Sequence, residues 1–153
     1  MITLKRTDSD DPEFRQLVIQ LDRDLAIRNG ENNAFFVQYN QIEQIRHVVL
    51  AYVHDAAVGC GAMKIFEHNT MEIKRMYVPH EMRRKGIAGA VLNELETWAA
   101  ALGYKKCCLE TGVQMPEAIS LYKRCGYQII PNYGPYVNVE SSVCFEKILT
   151  QIL

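Results

Sequence analysis

One stretch of the chain, Met71 to Leu95, limits the fold more than any other. It opens as a β-prone run carrying Ile73, Met76 and Val78 and breaks at Pro79. It turns helical after Gly86, where Ile87, Val91, Leu95 and Trp98 recur at a spacing of about 3.6. A strand therefore feeds a basic, glycine-containing turn that opens a helix. The first amides of a helix have no partner within it, and the helix dipole adds roughly half a positive charge there. Gly86 and Gly89 lack a Cβ and let an anion approach the backbone, while Arg83, Arg84 and Lys85 bring the opposite charge. The corner reads as a pyrophosphate site.

Three kinds of phosphate loop compete for it, and spacing separates them. A Walker loop ends in Gly-Lys followed by Ser or Thr, whereas Lys85-Gly86-Ile87 reverses that order and has no hydroxyl. A dinucleotide fingerprint needs three glycines and an acidic residue about 20 positions on; only two glycines are present, and Glu110 comes too late. What remains is Arg83-x-x-Gly86-x-Ala88, with Gly89 next.

A chain of 153 residues with a formal net charge of -1 fits one domain, taken here as 1–153. That charge argues against a nucleic-acid binder, so the basic cluster is local and its partner a small anion. No apolar run approaches the length of a membrane span, and the polar start from Met1 to Asp11 does not read as a signal peptide. The five cysteines, Cys60, Cys107, Cys108, Cys125 and Cys144, sit mostly in apolar segments, which suits buried thiols in a reducing cytoplasm. His47, His54, His68 and His80 are scattered without ligand-like pairing, so no metal site is expected.

Taken in order, Ile2 to Arg6 reads as a first strand. Pro12 to Gly30 reads as an amphipathic helix with Phe14, Leu17, Val18, Leu21 and Leu25 on one face. Glu31 to Gln44 is a polar loop with an aromatic island (Phe35, Phe36, Tyr39) and a short helix at Gln41 to Ile45. Strands follow at His47 to Val53 and Val58 to Phe66, joined at Asp55-Ala56, then at Met71 to Val78. Gly59 and Gly61 in the third strand imply a bulge or a close backbone approach. A helix from Arg84 to about Leu102 ends at Gly103, with Trp98 on its apolar face. Lys105 to Thr111 is a strand. Pro116 opens a helix that Gly126 closes, and Tyr127 to Ile130 and Ser142 to Leu149 are the last strands. The string describes an α/β (α+β mixed) fold with one mixed, mostly antiparallel sheet of about seven strands flanked by helices.

A second motif lies about 30 residues beyond the loop: Ala118, Leu121, Tyr122, Gly126 and Tyr127, in the pattern Ala-x-x-Leu-Tyr-x-x-x-Gly-Tyr. Arg83-x-x-Gly86-x-Ala88 resembles the acyl-coenzyme A loop of the GNAT N-acetyltransferase superfamily, and the second motif resembles a segment that superfamily carries at this separation. The resemblance covers roughly Val48 to Leu149. One departure stands out: many relatives hold Asn three residues before the alanine, where this chain has Met115 between Gln114 and Pro116. A branch with Gln-Pro-Glu-Ala is closer, as are the runs Leu109 to Gly112 and Gly134-Pro135-Tyr136.

The resemblance implies a sheet splayed between the fourth and fifth strands, and acetyl-CoA as co-substrate. The backbone of Met76, Tyr77 and Val78 would hold the pantetheine arm and thioester oxygen. Arg83, Arg84, Lys85, Gly86, Ile87, Ala88 and Gly89 would hold the pyrophosphate. It implies a cytoplasmic N-acetyltransferase acting on a small-molecule amine or amino acid in one ternary complex, with a homodimer carried as analogy. Two alternatives stay open, a protein or peptide N-acetyltransferase and a catalytically silent CoA-binding regulatory module.

Removing the proton from a lysine-like amine at pH 7 costs about 4 to 5 kcal/mol, against about 1 for an α-amine. A base helps the first most. Glu72, six residues before Val78, matches a glutamate that takes this proton in some members, directly or through water; the alternative is a solvated strand residue paired with Lys74 or Arg75. Tyr122 matches the tyrosine that meets the coenzyme A sulfur and protonates the leaving thiolate; the alternative is a buried aromatic beside Leu121 and Tyr127. Glu110 either faces the acceptor or pairs with Lys105 or Lys106. Tyr133 and Tyr136 either wall an acceptor pocket or stabilise a turn.

Overall fold

The computed structural model describes residues 1–30 and 44–149. The loop expected at 31–44 and its short helix lie outside the described residues except at their end, where Gln44 and Ile45 are not helical. The elements are β1 (Thr3–Thr7), α1 (Pro12–Asn29), β2 (His47–Val53), β3 (Ala56–Glu67), β4 (Thr70–Tyr77), α2 (Ile87–Ala101), β5 (Lys106–Gly112), α3 (Pro116–Arg124), β6 (Gln128–Ile130) and β7 (Ser142–Ile148). A seven-stranded sheet runs β1-β2-β3-β4-β5-β7-β6. Pairing is antiparallel between β1 and β2, β2 and β3, β5 and β7, and β6 and β7, and parallel between β4 and β5. This is the mixed, mostly antiparallel sheet expected. The β4 register with β5 covers Thr70↔Lys106, Met71↔Cys107 and Glu72↔Cys108, although β4 runs on to Tyr77 and β5 to Gly112.

Several boundaries move for identifiable reasons. His54 (φ 51°) and Asp55 (φ 65°) form the two-residue connection of β2 to β3, and two positive φ values in succession match the twist of a tight hairpin. The turn therefore lies one residue earlier than expected, and β3 begins at Ala56. Arg84 has φ 65°, which no helix tolerates, so α2 starts at Ile87 rather than at Arg84. Trp98 is half-buried; Ile87, Val91, Leu92, Leu95 and Ala99 are the deeply buried apolar residues of α2. No helix among the described residues is long and apolar enough to cross a membrane.

The chain divides into two compact units, 1–64 with 73–95 and 65–72 with 96–153. In the first, Asp11 caps α1 by accepting from the Glu13 amide at 2.9 Å. The helix then buries Phe14, Leu17, Val18 and Leu21 against Val48, Leu50, Cys60, Ala62 and Tyr77. Burying four large apolar side chains is worth on the order of 6 to 12 kcal/mol before chain entropy is subtracted. The start of α2 packs where β3 has no side chains. A Cβ on Gly61 would stand 2.9 Å from Val91 Cγ1 and from Leu95 Cδ1 and 2.5 Å from Met76 Sδ, and one on Gly59 would stand 2.6 Å from Ile87 Cγ2. Both readings of these glycines hold, since the β2–β3 register also shifts between Ala51 and Tyr52, leaving Val58 as the extra residue.

In the second unit, β5 and β7 pair along their full lengths, burying Cys107, Cys108, Leu109, Cys144 and Phe145. Gly103 (φ 95°) turns the chain out of α2, with Tyr104 N donating back to Ala99 O at 3.0 Å. The buried Glu96 carboxylate accepts from Tyr127 Oη at 2.9 Å and from Lys147 Nζ at 2.7 Å, so its charge is matched where it is desolvated.

Candidate functional site

The anion corner belongs to the first unit. After β4, Pro79 leads into a single 3-10 turn, His80–Met82, and Arg83 is extended. Arg84 (φ 65°) and Gly86 (φ 81°) then bend the backbone to the left-handed side, and Ile87 starts α2. Ala90 N donates to Gly86 O at 3.1 Å, so the amides of Ile87, Ala88 and Gly89 lie ahead of the first bond within the helix. A Cβ built on Gly86 or Gly89 meets nothing within 4 Å, which leaves room beside those amides. Arg84, Lys85 and Gly86 are exposed. Amide donors, a helix N-terminus, free space and cations are the chemistry that holds a pyrophosphate.

Arg83 is engaged differently from its neighbours. Its Nε donates to Val78 O at 2.8 Å, its Nη2 lies 3.4 Å from Asp24 Oδ2, and its guanidinium stands 5.9 Å from the Tyr77 ring centroid. The side chain closes the loop onto the end of β4 and onto α1. The sequence places Arg83 among the residues expected to hold the pyrophosphate and gives no sign of these three contacts. Burial first, and Asp24 second, push the Tyr77 phenol up.

Within β4 the alternation of side chains breaks at Arg75, a non-glycine residue at φ 60°. Arg75 is buried, and Nη1 donates to Asp22 Oδ1 at 2.6 Å. Its Nη2 is buried with no hydrogen-bond partner among the described residues. Nothing in the sequence signalled this pairing across 53 positions.

The proton-handling candidates belong to the second unit. Glu72 is 5% exposed, and Tyr133 Oη donates to its Oε2 at 2.7 Å. Glu72 is therefore buried and not a solvated strand residue. Tyr133 packs on Phe66 with ring centroids 4.8 Å apart and edge-on to Tyr136 at 5.9 Å. Its loop is fixed by Asn132, whose Nδ2 donates to the carbonyls of Tyr136, Val139 and Ser142 at 3.1, 3.0 and 3.2 Å. Desolvation, then the Glu72 charge, holds the Tyr133 phenol far above the tyrosine range, so it stays a donor.

Tyr122 is buried, edge-on to Tyr127 at 5.9 Å and tilted on Phe145 at 6.0 Å. No described residue is recorded hydrogen-bonding its hydroxyl, and burial raises its pKa above the tyrosine range. Glu110 accepts from Ser142 Oγ at 2.8 Å, and Lys106 pairs with Glu146 at 3.3 Å instead. Burial pushes the thiols of Cys60, Cys107 and Cys108 up to about 12 and that of Cys144 to about 11. All four are buried, where loss of hydration disfavours the thiolate.

Known proteins resemble this arrangement. The profile of the Acetyltransferase (GNAT) family matches residues 11–127. The chain is 31% identical over 150 residues to the IAA acetyltransferase of Azospirillum brasilense, covering 97% of this chain and 98% of that protein. It is 36% identical over 92 residues to the Xenopus tropicalis protein named "Probable N-acetyltransferase 14", covering 60% of this chain but spanning only 45% of that relative's length. A crystal structure from Klebsiella pneumoniae, assigned to the acyl-CoA N-acyltransferases, superposes with a TM-score of 0.81 at 29% identity, covering 98% of this chain and 99% of that one. The PaiA N-acetyltransferase of Thermoplasma acidophilum, solved with coenzyme A, shares the fold with a TM-score of 0.73 at 17% identity, covering 97% of this chain and 99% of that one.

Proposed function

Since the chain belongs to the GNAT acetyltransferase family, we propose that it transfers an acetyl group from acetyl-CoA to a primary amine of a small molecule or amino acid, by direct attack in a ternary complex. The observation that carries this reading is the corner at Gly86, where φ 81°, open space and the unbonded amides of α2 coincide with exposed Arg84 and Lys85. The coenzyme A in the Thermoplasma acidophilum relative supports the choice of carrier.

Acetyl-CoA, when bound, supplies the activated acyl carbon and a thiol leaving group. The amides of Ile87, Ala88 and Gly89 with Arg84 and Lys85 neutralise the pyrophosphate, and Arg83 holds the loop in shape. The backbone of Met76, Tyr77 and Val78 is assigned to the pantetheine arm and the thioester oxygen. Glu72 takes the proton that an ammonium acceptor must lose before it can attack, directly or through water. Tyr122 gives a proton to the departing sulfur. Against a thiolate near 8.5 that step is uphill by more than about 2 kcal/mol, and the gap narrows where the thiolate is shielded from water and more basic. The burial of Cys60, Cys107, Cys108 and Cys144 favours direct attack over an acetyl-cysteine route.

The test is thiol release from acetyl-CoA across a panel of alkylamines, amino acids and peptides, alongside calorimetry of acetyl-CoA on the same folded protein. Binding with amine-dependent release supports the enzyme. Binding without release from any amine makes it a carrier-sensing module, and release only with peptides moves the acceptor class. Absence of binding overturns the reading.

A further inference from the structure

We propose that Tyr133 is a positioning residue for the transfer, holding the Glu72 carboxylate in the orientation from which it accepts the acceptor's proton. The inference rests on the reading of Glu72 as the base and goes beyond it by naming what aims that base. Three observations carry it. The Tyr133 hydroxyl donates to Glu72 Oε2 at 2.7 Å where Glu72 is 5% exposed, so a protein donor takes the place water would have at an exposed carboxylate. The Tyr133 ring is pinned by Phe66 and Tyr136, and the loop beneath it by the three carbonyl bonds of Asn132. Glu72 is also in register with Cys108 of β5, so its backbone is held by the parallel ladder. The strand fixes the Cα and the tyrosine fixes one carboxylate oxygen, which leaves the side chain little freedom to rotate.

The proton balance is simple. An ammonium R–NH3⁺ passes one proton to the Glu72 carboxylate and becomes the neutral amine. The Tyr133 proton stays on its own oxygen, as its strongly desolvated environment favours. Aiming the base matters in proportion to how tightly the acceptor holds its proton, which separates positioning from general structural support.

The experiment uses an alkylamine accepted in the thiol-release panel together with its β-fluorinated analogues, which keep the shape and lower the basicity of the amine. Tyr133→Phe, which keeps the ring and removes only the hydroxyl, is compared with Glu72→Gln and with the double variant. The expected result is about a tenfold loss of kcat for the most basic amine in Tyr133→Phe, shrinking along the fluorinated series, with the KM for acetyl-CoA within about twofold of wild type. The double variant should be no slower than Glu72→Gln alone. A Tyr133→Phe loss equal for all amines, beside a graded loss in Glu72→Gln, overturns the positioning role and leaves the base in place. A loss equal for all amines in Glu72→Gln removes the base reading and the inference with it. Thermal unfolding of each variant identifies a folding defect, and a double variant slower than Glu72→Gln counts against the inference whatever Tyr133→Phe alone does.

Discussion

Arg75 Nη1 donates to Asp22 Oδ1 at 2.6 Å, tying the left-handed residue of β4 to the middle of α1. The pair is lopsided, because the arginine side chain is 3% exposed and the aspartate 53%. Removing the aspartate strands a buried cation, whereas removing the arginine leaves a carboxylate that water can reach. Asp22→Ala is expected to cost about 2 to 4 kcal/mol, below the figure for a fully buried pair because Asp22 is half-exposed. Arg75→Met should cost less. Urea unfolding of the two variants checks this, and the reverse order would contradict it.

The glycines of the first unit divide into two kinds. Gly61 lies under Met76, Val91 and Leu95, so Gly61→Ala must push at least one of them aside and is expected to cost about 1 to 3 kcal/mol. Gly86 has open space but a φ of 81°, so Gly86→Val brings about 1 to 2 kcal/mol of backbone strain and no clash. Its larger effect should be on acetyl-CoA, whose dissociation constant is expected to rise more than tenfold by calorimetry. Unchanged affinity in a folded Gly86→Val protein would move the pyrophosphate elsewhere.

Tyr122→Phe keeps the ring contacts with Tyr127 and Phe145 and loses only the hydroxyl. Turnover should drop by about 10² or more while acetyl-CoA affinity stays within about threefold. Steady-state kinetics beside calorimetry separates the two quantities. Equal turnover in both proteins would leave Tyr122 as packing alone.

Asp11 couples the start of α1 to pH. Burial raises its carboxyl pKa, but Lys5 at 2.9 Å and the Glu13 amide outweigh burial, and the net value lies below the ordinary 3.8. A carboxyl depressed on folding contributes stability that is complete above its unfolded value and is lost as pH falls through the folded one. Asp11→Ala should therefore be about 1 kcal/mol less stable than wild type at pH 7, and the gap should close below about pH 4. Urea midpoints at pH 7 and pH 3 measure it. A gap that widens in acid would show that the charge is not what stabilises the cap.

The helices and strands were largely legible because local chemistry set them. Asp11-Pro12 and Gly30 bound α1, Pro116 and Gly126 bound α3, and the apolar periodicity of Ile87, Val91 and Leu95 belongs to the helix found there. The errors were also local. Arg84 was placed in a helix because its side chain suits one, and the positive φ that excludes it comes from the loop that Arg83 closes onto Val78. Trp98 follows the apolar spacing, yet it is not among the fully buried residues of α2.

The order of elements and the glycine-basic corner were determined by the sequence alone, since turn chemistry, periodicity and residue type act within a few positions of one another, whereas Glu72 and Tyr122 were singled out by family resemblance. Which groups meet was decided only by the tertiary structure. Tyr133 reaches Glu72 across 61 positions and Asp22 reaches Arg75 across 53, and neither pair leaves a trace in local pattern. The physical reason is that a buried charge must find its partner wherever folding delivers one, and that choice depends on the packing of whole elements rather than on the residues beside it.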